Sequence, residues 1–294
     1  MDISKPLNLV LTTILFLIFS NTSFCQKLEP KERVTEPDHT ITSTIMGKEY
    51  QLHISFPANY STKDTITYPV LYVLDGGDSF QAFQSAQKYL SIDDRIEDVI
   101  IVGINGKGRT YDYSPSVDTI SEREIEEAFG LPKGTIKSGG ANRFLNVIKT
   151  EIAPFVEKHY KTNGDKGITG HSLGGLFTAY CLINSDGYFN RFGINSPSLY
   201  WNKEELLNQA ISEIENRYYN KIQWDIPPTK VFISVGGLEG SSMVPTMVKL
   251  STYLEELDSD SIDLEWKIFE NESHVSVIPA NLSRTISVLY SKNY

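Results

Sequence analysis

From residue 40 onward, short apolar runs alternate with stretches whose apolar residues recur at helical spacing. The run 49–56 alternates strictly, with Tyr50, Leu52 and Ile54 on one face and Glu49, Gln51 and His53 on the other. That period of two predicts an antiparallel strand with one solvated face. Residues 69–74 (PVLYVL), 99–104 (VIIVGI), 166–169 and 230–235 (KVFISV) are compact apolar runs. Such runs predict parallel strands buried on both faces, and 262–269 predicts one more. Between them, Phe144, Leu145, Ile148, Ile152, Phe155, Val156 and His159 keep one helical stripe, in which Pro154 is expected to kink the helix or split it. Leu282, Ile286, Leu289 and Tyr290 mark a final helix. Alternating strands and helices predict an α/β fold around a mostly parallel sheet, helices on both faces. Two stretches read as excursions over the sheet, the glycine-rich 106–140 and 196–228, the latter with a helical pattern over 203–218.

The N-terminus departs from this rhythm. Residues 9–20 (LVLTTILFLIFS) form an apolar run, shorter than the roughly 20 residues a membrane span needs. Its length is that of a signal-peptide core, and Ser23-Phe24-Cys25 before Gln26 supplies small residues for cleavage. The reading is a signal peptide over 1–25, an extension over 26–39 and one catalytic domain over 40–294. The exported chain would be periplasmic or extracellular, with no stable membrane insertion after cleavage. An uncleaved anchor, or lipidation of Cys25, stays open, although Phe24 is bulky for the residue before a lipidated cysteine.

Composition narrows the chemistry. The 294-residue chain carries 27 Lys+Arg against 37 Asp+Glu, a net charge of −10, and no basic cluster suited to nucleic acid. Its two cysteines make no disulfide framework, and only Cys181 would survive leader removal. Nothing in the spacing of His and Cys calls for a metal or another cofactor. Asp258, Asp260 and Asp263 resemble a calcium loop only superficially, lacking its glycine and terminal glutamate.

The strongest signal is Gly170-His171-Ser172-Leu173-Gly174, the pattern G-x-S-x-G, after a short apolar strand and at the head of a helix. There the serine occupies a sharp strand-to-helix turn with its hydroxyl exposed, and side chains at the flanking glycines would collide with it or with neighbouring strands. Elsewhere the pattern is a tight turn with a capping serine. In chains with this elbow the order is serine, then acid, then histidine. Only His274 follows Ser172, which makes it the candidate base; His171 reads as filler and His39 as preceding the fold. Glu239, just past the 230–235 strand, is the favoured acid, with Asp258 and Asp260 as alternatives in a polar turn. An oxyanion hole needs two backbone N–H groups. Leu173 follows the nucleophile, and Gly77 lies in the Asp75-Gly76-Gly77-Asp78 loop after the 69–74 strand. Arg109 follows another strand and either meets a substrate anion or pairs with Asp112 to pin its loop. The aromatic residues Tyr111, Tyr113, Phe129, Tyr200, Trp201 and Trp224 would line a pocket for aryl groups or simply pack a lid.

Several stretches together resemble one family: Tyr72-Val73-Leu74-Asp75-Gly76, Val102-Gly103-Ile104-Asn105, and Arg109 with Asp112 and Ser114-Pro115. Gly139-Gly140-Ala141 with Phe144-Leu145, the elbow, Ser196-Pro197-Ser198-Leu199 with Trp201, and Glu272-Ser273-His274 complete the set. From about Thr40 to the C-terminus the chain resembles the esterase-D-like branch of the α/β-hydrolases, and within it the siderophore trilactone esterases that open ferric enterobactin or bacillibactin. The resemblance implies the α/β-hydrolase fold, a Ser172–Glu239–His274 triad, and Arg109 lining the pocket. Tyr200 stands where the family often has tryptophan, which alters the pocket wall. The expected activity is that of an exported serine carboxylesterase on a small-molecule ester, with siderophore trilactones as the leading substrate. A carbohydrate esterase removing feruloyl or acetyl groups is the second reading. A non-catalytic binding protein on the same fold is the third, and it predicts a damaged site.

Overall fold

The computed structural model describes residues 36–63, 65–220, 228–256 and 262–292. The signal-peptide reading of 1–25, Trp224, Asp258 and Asp260 lie outside the described residues. Eight strands join one sheet in the order β1-β2-β4-β3-β5-β6-β7-β8. They are β1 (His39–Thr42), β2 (Glu49–Ser55), β3 (Tyr68–Leu74), β4 (Ile100–Gly106), β5 (Thr162–His171), β6 (Arg191–Asn195), β7 (Thr229–Gly236) and β8 (Ile262–Phe269). Strand β2 runs antiparallel to both neighbours and every pair from β4 to β8 is parallel.

The strands bury both faces by the period of two. Leu71, Val73, Ile101 and Phe232 face a cluster closed by α1 (Gly76–Ile92) and α9 (Ile278–Leu289). Tyr72, Leu74, Val102, Ile168 and Ile194 face the larger cluster on the other side. That side carries α4 (Ala141–Val147), α5 (Ala153–His159), α6 (Leu173–Asn184), α7 (Trp201–Asn220) and α8 (Gly240–Glu256). Short helices α2 (Arg109–Tyr113) and α3 (Thr119–Ala128) occupy the first excursion. This is the mixed sheet with helices on both faces expected of an α/β-hydrolase.

Pro154 acts as expected, with an added detail. It sits at the start of α5, and the turn before it, Ile148–Ile152, relaxes into a π-helix between α4 and α5. A proline without an N–H forces the preceding backbone to find other partners, and a π-turn supplies them.

Two expectations need correction, and one strand has no counterpart among them. Residue 39 does not belong to an extension: His39 pairs with Leu52 in β1, and its Nε2 lies 2.6 Å from the Tyr160 hydroxyl. His53 is not solvated, because α1 covers that face and Phe80 meets its ring at 5.5 Å, leaving it 3% exposed. Strand β6 (RFGIN) carries no apolar run and was not anticipated. Its arginine is buried by forming an ion pair with Asp165 and lying over the Tyr290 ring at 4.5 Å.

Candidate active site

The parallel strands all end at one sheet edge, where open sheets place their ligands. Beyond β3 lies Asp75, beyond β5 Ser172, beyond β6 Ser196, beyond β7 Glu239 and beyond β8 His274. The expected triad converges there. His274 Nε2 lies 3.0 Å from Ser172 Oγ, and His274 Nδ1 lies 2.7 Å from Glu239 Oε2.

Ser172 has φ 63° and ψ −120°, a strained backbone that costs on the order of 1–3 kcal/mol and persists only when its surroundings enforce it. Its N–H donates to Asn195 O at 3.1 Å, and its carbonyl accepts from Leu176 N–H and Ser198 N–H at 3.0 and 3.2 Å. The glycines divide the work differently from expectation. A Cβ at Gly170 would stand 2.5 Å from the Gly174 backbone, so Gly170 is required. At Gly174 the nearest atom, Asp75 Oδ2, would be 3.5 Å away, an ordinary contact. The second obligatory glycine is Gly175, whose Cβ would lie 3.0 Å from Pro197 Cα and closer still to Asn195 O. The Asn195–Ser198 turn, not the serine itself, crowds the head of α6.

Glu239 is fully buried on its side chain while His274 is 39% exposed. Burial acts to raise the Glu239 pKa. Hydrogen bonds from His274, Ser196 and the Gly236 N–H outweigh it and hold the carboxyl below the usual range. The loops carrying acid and base are stitched together, with Gly237 N–H donating to Phe269 O at 2.8 Å and Leu238 N–H to Glu272 O at 2.9 Å.

Two residues without an anticipated role complete this arrangement. Ser196 is fully buried with φ 41°, and its hydroxyl donates to Glu239 Oε1 at 2.6 Å. Its backbone N–H donates to Ser234 O at 2.7 Å, fixing the turn to β7. The Ser196-Pro197-Ser198 stretch was the available signal, but its strand was not legible. His171 is more than filler: its ring lies 4.5 Å from that of His274. Burial, and then the neighbouring His274, push its pKa down to about 4, so it stays a neutral plate behind the base near neutral pH.

Leu173 opens α6 and Gly77 lies in the first turn of α1, positions whose N–H groups have no partner within their own helix. Their parent strands β5 and β3 are adjacent and parallel, so both helices start at the same edge of the sheet. Asp75, at φ 51°, makes the turn into α1.

Arg109 is paired, but not with Asp112. Its Nε and Nη2 each meet an Asp75 carboxylate oxygen at 2.8 Å, a bidentate pair, and its guanidinium lies over the Tyr113 ring at 5.4 Å. Tyr113 OH in turn accepts the Asp75 N–H at 3.2 Å. Asp112 is taken by Lys48 at 2.6 Å and by Tyr50 OH at 3.0 Å, and burial raises its pKa against the pull of Lys48. Arg109 therefore clamps the turn that carries Gly77. Arg109→Ala is expected to lower kcat about tenfold while moving KM for an uncharged ester less than twofold, since a displaced turn costs positioning. A rise in KM with kcat unchanged, read from steady-state kinetics, would instead make Arg109 a substrate-binding group.

A cleft of about 440 Å³ opens beside Ser172. Its walls include Arg109, Glu124, Phe129, Leu131, Tyr200 and Trp201. Trp201 is held edge-in by its Nε1–H donating to Ser116 O at 3.1 Å, whereas Tyr200 is 43% exposed. A larger cavity of about 780 Å³ lies between α1 and the end of β2 and touches none of the triad. Among the described residues no group of three or more His, Cys, Asp and Glu is arranged to hold a metal ion, and no helix is long and apolar enough to cross a membrane.

Comparison with known proteins identifies relatives of the chain. The Esterase family model matches residues 43–252. The ferri-bacillibactin esterase BesA of Bacillus subtilis (strain 168) is 26% identical over 262 residues, covering 84% of this chain and 86% of BesA. Among solved structures, the BES protein from Bacillus cereus superposes with a TM-score of 0.72 at 32% identity, covering 86% of this chain and 95% of that one. An IroE-like serine hydrolase from Shewanella oneidensis superposes with a TM-score of 0.71 at 25% identity, covering 86% of this chain and 79% of that one.

Proposed function

The chain belongs to the Esterase family, and from that premise we propose that it is an exported serine esterase that opens siderophore lactone esters through an acyl-enzyme. The observation that carries the mechanism is the unbroken line Ser172 Oγ, His274 Nε2, His274 Nδ1, Glu239 Oε2. The siderophore substrate is supported by similarity to BesA, a ferri-bacillibactin esterase, and export by the leader-like residues 1–25.

In this reading Ser172 Oγ attacks the ester carbonyl carbon as its proton passes to His274 Nε2. The carbonyl oxygen takes the negative charge, held by the N–H groups of Leu173 and Gly77. When the intermediate collapses, the ester C–O bond breaks and the leaving alcohol takes the proton from His274. Water then attacks the acyl-enzyme with His274 again as base, releasing the acid and restoring Ser172. Glu239 holds the imidazole in the tautomer with hydrogen on Nδ1 and stabilises the imidazolium in each half-reaction. The hydrogen bonds from His274, Ser196 and the Gly236 N–H outweigh its burial and keep it ionised and aimed. A non-catalytic reading requires a broken site, and no group of this line is displaced.

Intact mass spectrometry tests mechanism and export together. Protein recovered from the exported fraction after fluorophosphonate treatment is expected to begin at Gln26 and to carry one adduct, on Ser172. Folded protein without an adduct refutes the serine mechanism, and a full-length chain confined to the cytoplasm refutes export.

A further inference from the structure

We propose that Asn281, on the last helix, is a positioning residue for the catalytic acid. Acting through the Ser196 hydroxyl, it fixes the direction in which Glu239 presents its carboxylate to His274. The inference rests on the serine-esterase reading and is independent of which ester is cleaved.

The starting observation is a polar stripe where apolar side chains would cost less. Helix α9 packs Leu282, Ile286 and Leu289 into the core, yet Asn281 and Thr285, one turn apart, are polar and fully buried. Taking an amide out of water is costly unless its donors and acceptors find partners. Here the partners are side chains of β5, β6 and β7 and of the turn after β6, all fully buried themselves. The Ser234 hydroxyl lies 2.8 Å from Asn281 Oδ1 and 2.9 Å from Asn195 Oδ1. The Thr285 hydroxyl donates to the same Asn195 oxygen at 3.2 Å, and Asn195 Nδ2 donates to Thr169 Oγ1 at 3.1 Å. On its other side, Asn281 turns its Nδ2 toward Ser196 Oγ at 3.5 Å.

Proton directions give Asn281 its role. Ser196 has one hydroxyl hydrogen, and at 2.6 Å from Glu239 Oε1 it is committed to that carboxylate, which only accepts. Any other group that meets Ser196 Oγ must donate to it. The Asn281 NH2 therefore faces Ser196, and its carbonyl oxygen faces the Ser234 hydroxyl. The donors run in one direction, from Ser234 through Asn281 and Ser196 to Glu239, and each polarises the next toward the charge. Without the Asn281 amide the Ser196 hydroxyl is free to turn from Oε1, leaving only the Gly236 N–H on that oxygen. The same network reaches the nucleophile, because the Asn195 carbonyl accepts the Ser172 N–H. Helix α9 itself begins just beyond His274. Acid, base and nucleophile are thus tied to one buried set of hydrogen bonds.

The test is a double-mutant cycle on kcat with a soluble aryl ester, with thermal unfolding to establish that each variant is folded. Ser196→Ala and Asn281→Leu are each expected to lower kcat about tenfold while KM changes less than about twofold. The double variant is expected to lie within about threefold of Ser196→Ala alone, because Asn281 acts through the hydroxyl already removed. A role confined to packing predicts lower stability with kcat intact. Either single variant with kcat within about twofold of wild type, or a double variant whose loss is the product of the single losses, overturns the inference and leaves the serine mechanism standing. If Asn281→Leu does not fold, Ser234→Ala, which removes the donor to Asn281 Oδ1, replaces it in the same cycle and is judged by the same outcomes. Ser172→Ala is measured alongside. Turnover by that variant at the wild-type rate refutes the serine-esterase reading, and the inference falls with it.

Discussion

Glu239→Gln is expected to lower kcat by about four orders of magnitude without unfolding the protein. The magnitude follows from the hydrogen-bond directions around this carboxyl and not from its charge alone. Glu239 Oε1 accepts from the Ser196 hydroxyl at 2.6 Å and from the Gly236 N–H at 2.5 Å. The Gly236 amide can only donate, so the glutamine must place its carbonyl oxygen on that side. Its NH2 then faces His274 Nδ1, where Glu239 Oε2 stood at 2.7 Å. A donor there forces Nδ1 to accept, and the neutral imidazole carries its hydrogen on Nε2, pointing it at Ser172. The base arrives already protonated on its working nitrogen. A wrong tautomer in an intact triad costs roughly 10⁴ in kcat in a serine protease where it has been isolated. Steady-state kinetics on a soluble aryl ester, with thermal unfolding as a control for folding, reads the effect. A loss smaller than tenfold in a folded variant would show that Glu239 does not orient the base.

The second large effect separates two neighbouring glycines. Gly175→Ala is expected to destabilise the fold by about 2–4 kcal/mol and to abolish most activity, because the new methyl meets backbone and cannot be relieved by a rotamer change. Its nearest atoms belong to Asn195 and Pro197. Asn195 is anchored in turn, its carbonyl accepting the Ser172 N–H and its side chain hydrogen-bonding Thr169 and Ser234 inside the fully buried core. Any shift that admits the methyl therefore moves the nucleophile. Gly174→Ala, one residue earlier, meets nothing closer than 3.5 Å. It should leave stability unchanged or raise it by up to about 1 kcal/mol, alanine being the better helix former. Urea unfolding of the two variants decides the matter, and coincident midpoints would refute the assignment of crowding to the Asn195–Ser198 turn.

Much of this protein is written locally in its sequence. The largely apolar runs of β3, β4 and β7 marked buried parallel strands, since a strand covered on both faces needs no polar alternation. The elbow around Ser172 was legible because a strained strand-to-helix turn admits few residues. Chain order then singled out His274. The split near Pro154 followed from a missing N–H. Each of these is a constraint between residues a few positions apart.

What tertiary structure alone decided are the pairings across distance. Strand β6 has no apolar run of its own and is buried because Asp165 and Tyr290 neutralise and cover Arg191. Arg109 had an acid three residues away at Asp112 and found Asp75 instead, because α2 turns Asp112 inward onto Lys48 and Tyr50. His171 packs against the ring of His274, and Ser196 meets a carboxylate supplied by the loop after β7. Sequence spacing fixes which residues share a strand or a helical face. It does not fix which side chains from different elements come within 3 Å at the sheet edge, because that depends on how the strands are ordered and how far each extends. The sequence by itself therefore pointed to ester chemistry and to Ser172 as the candidate nucleophile, while the folded sheet decided what holds Ser172, His274 and Glu239 in line.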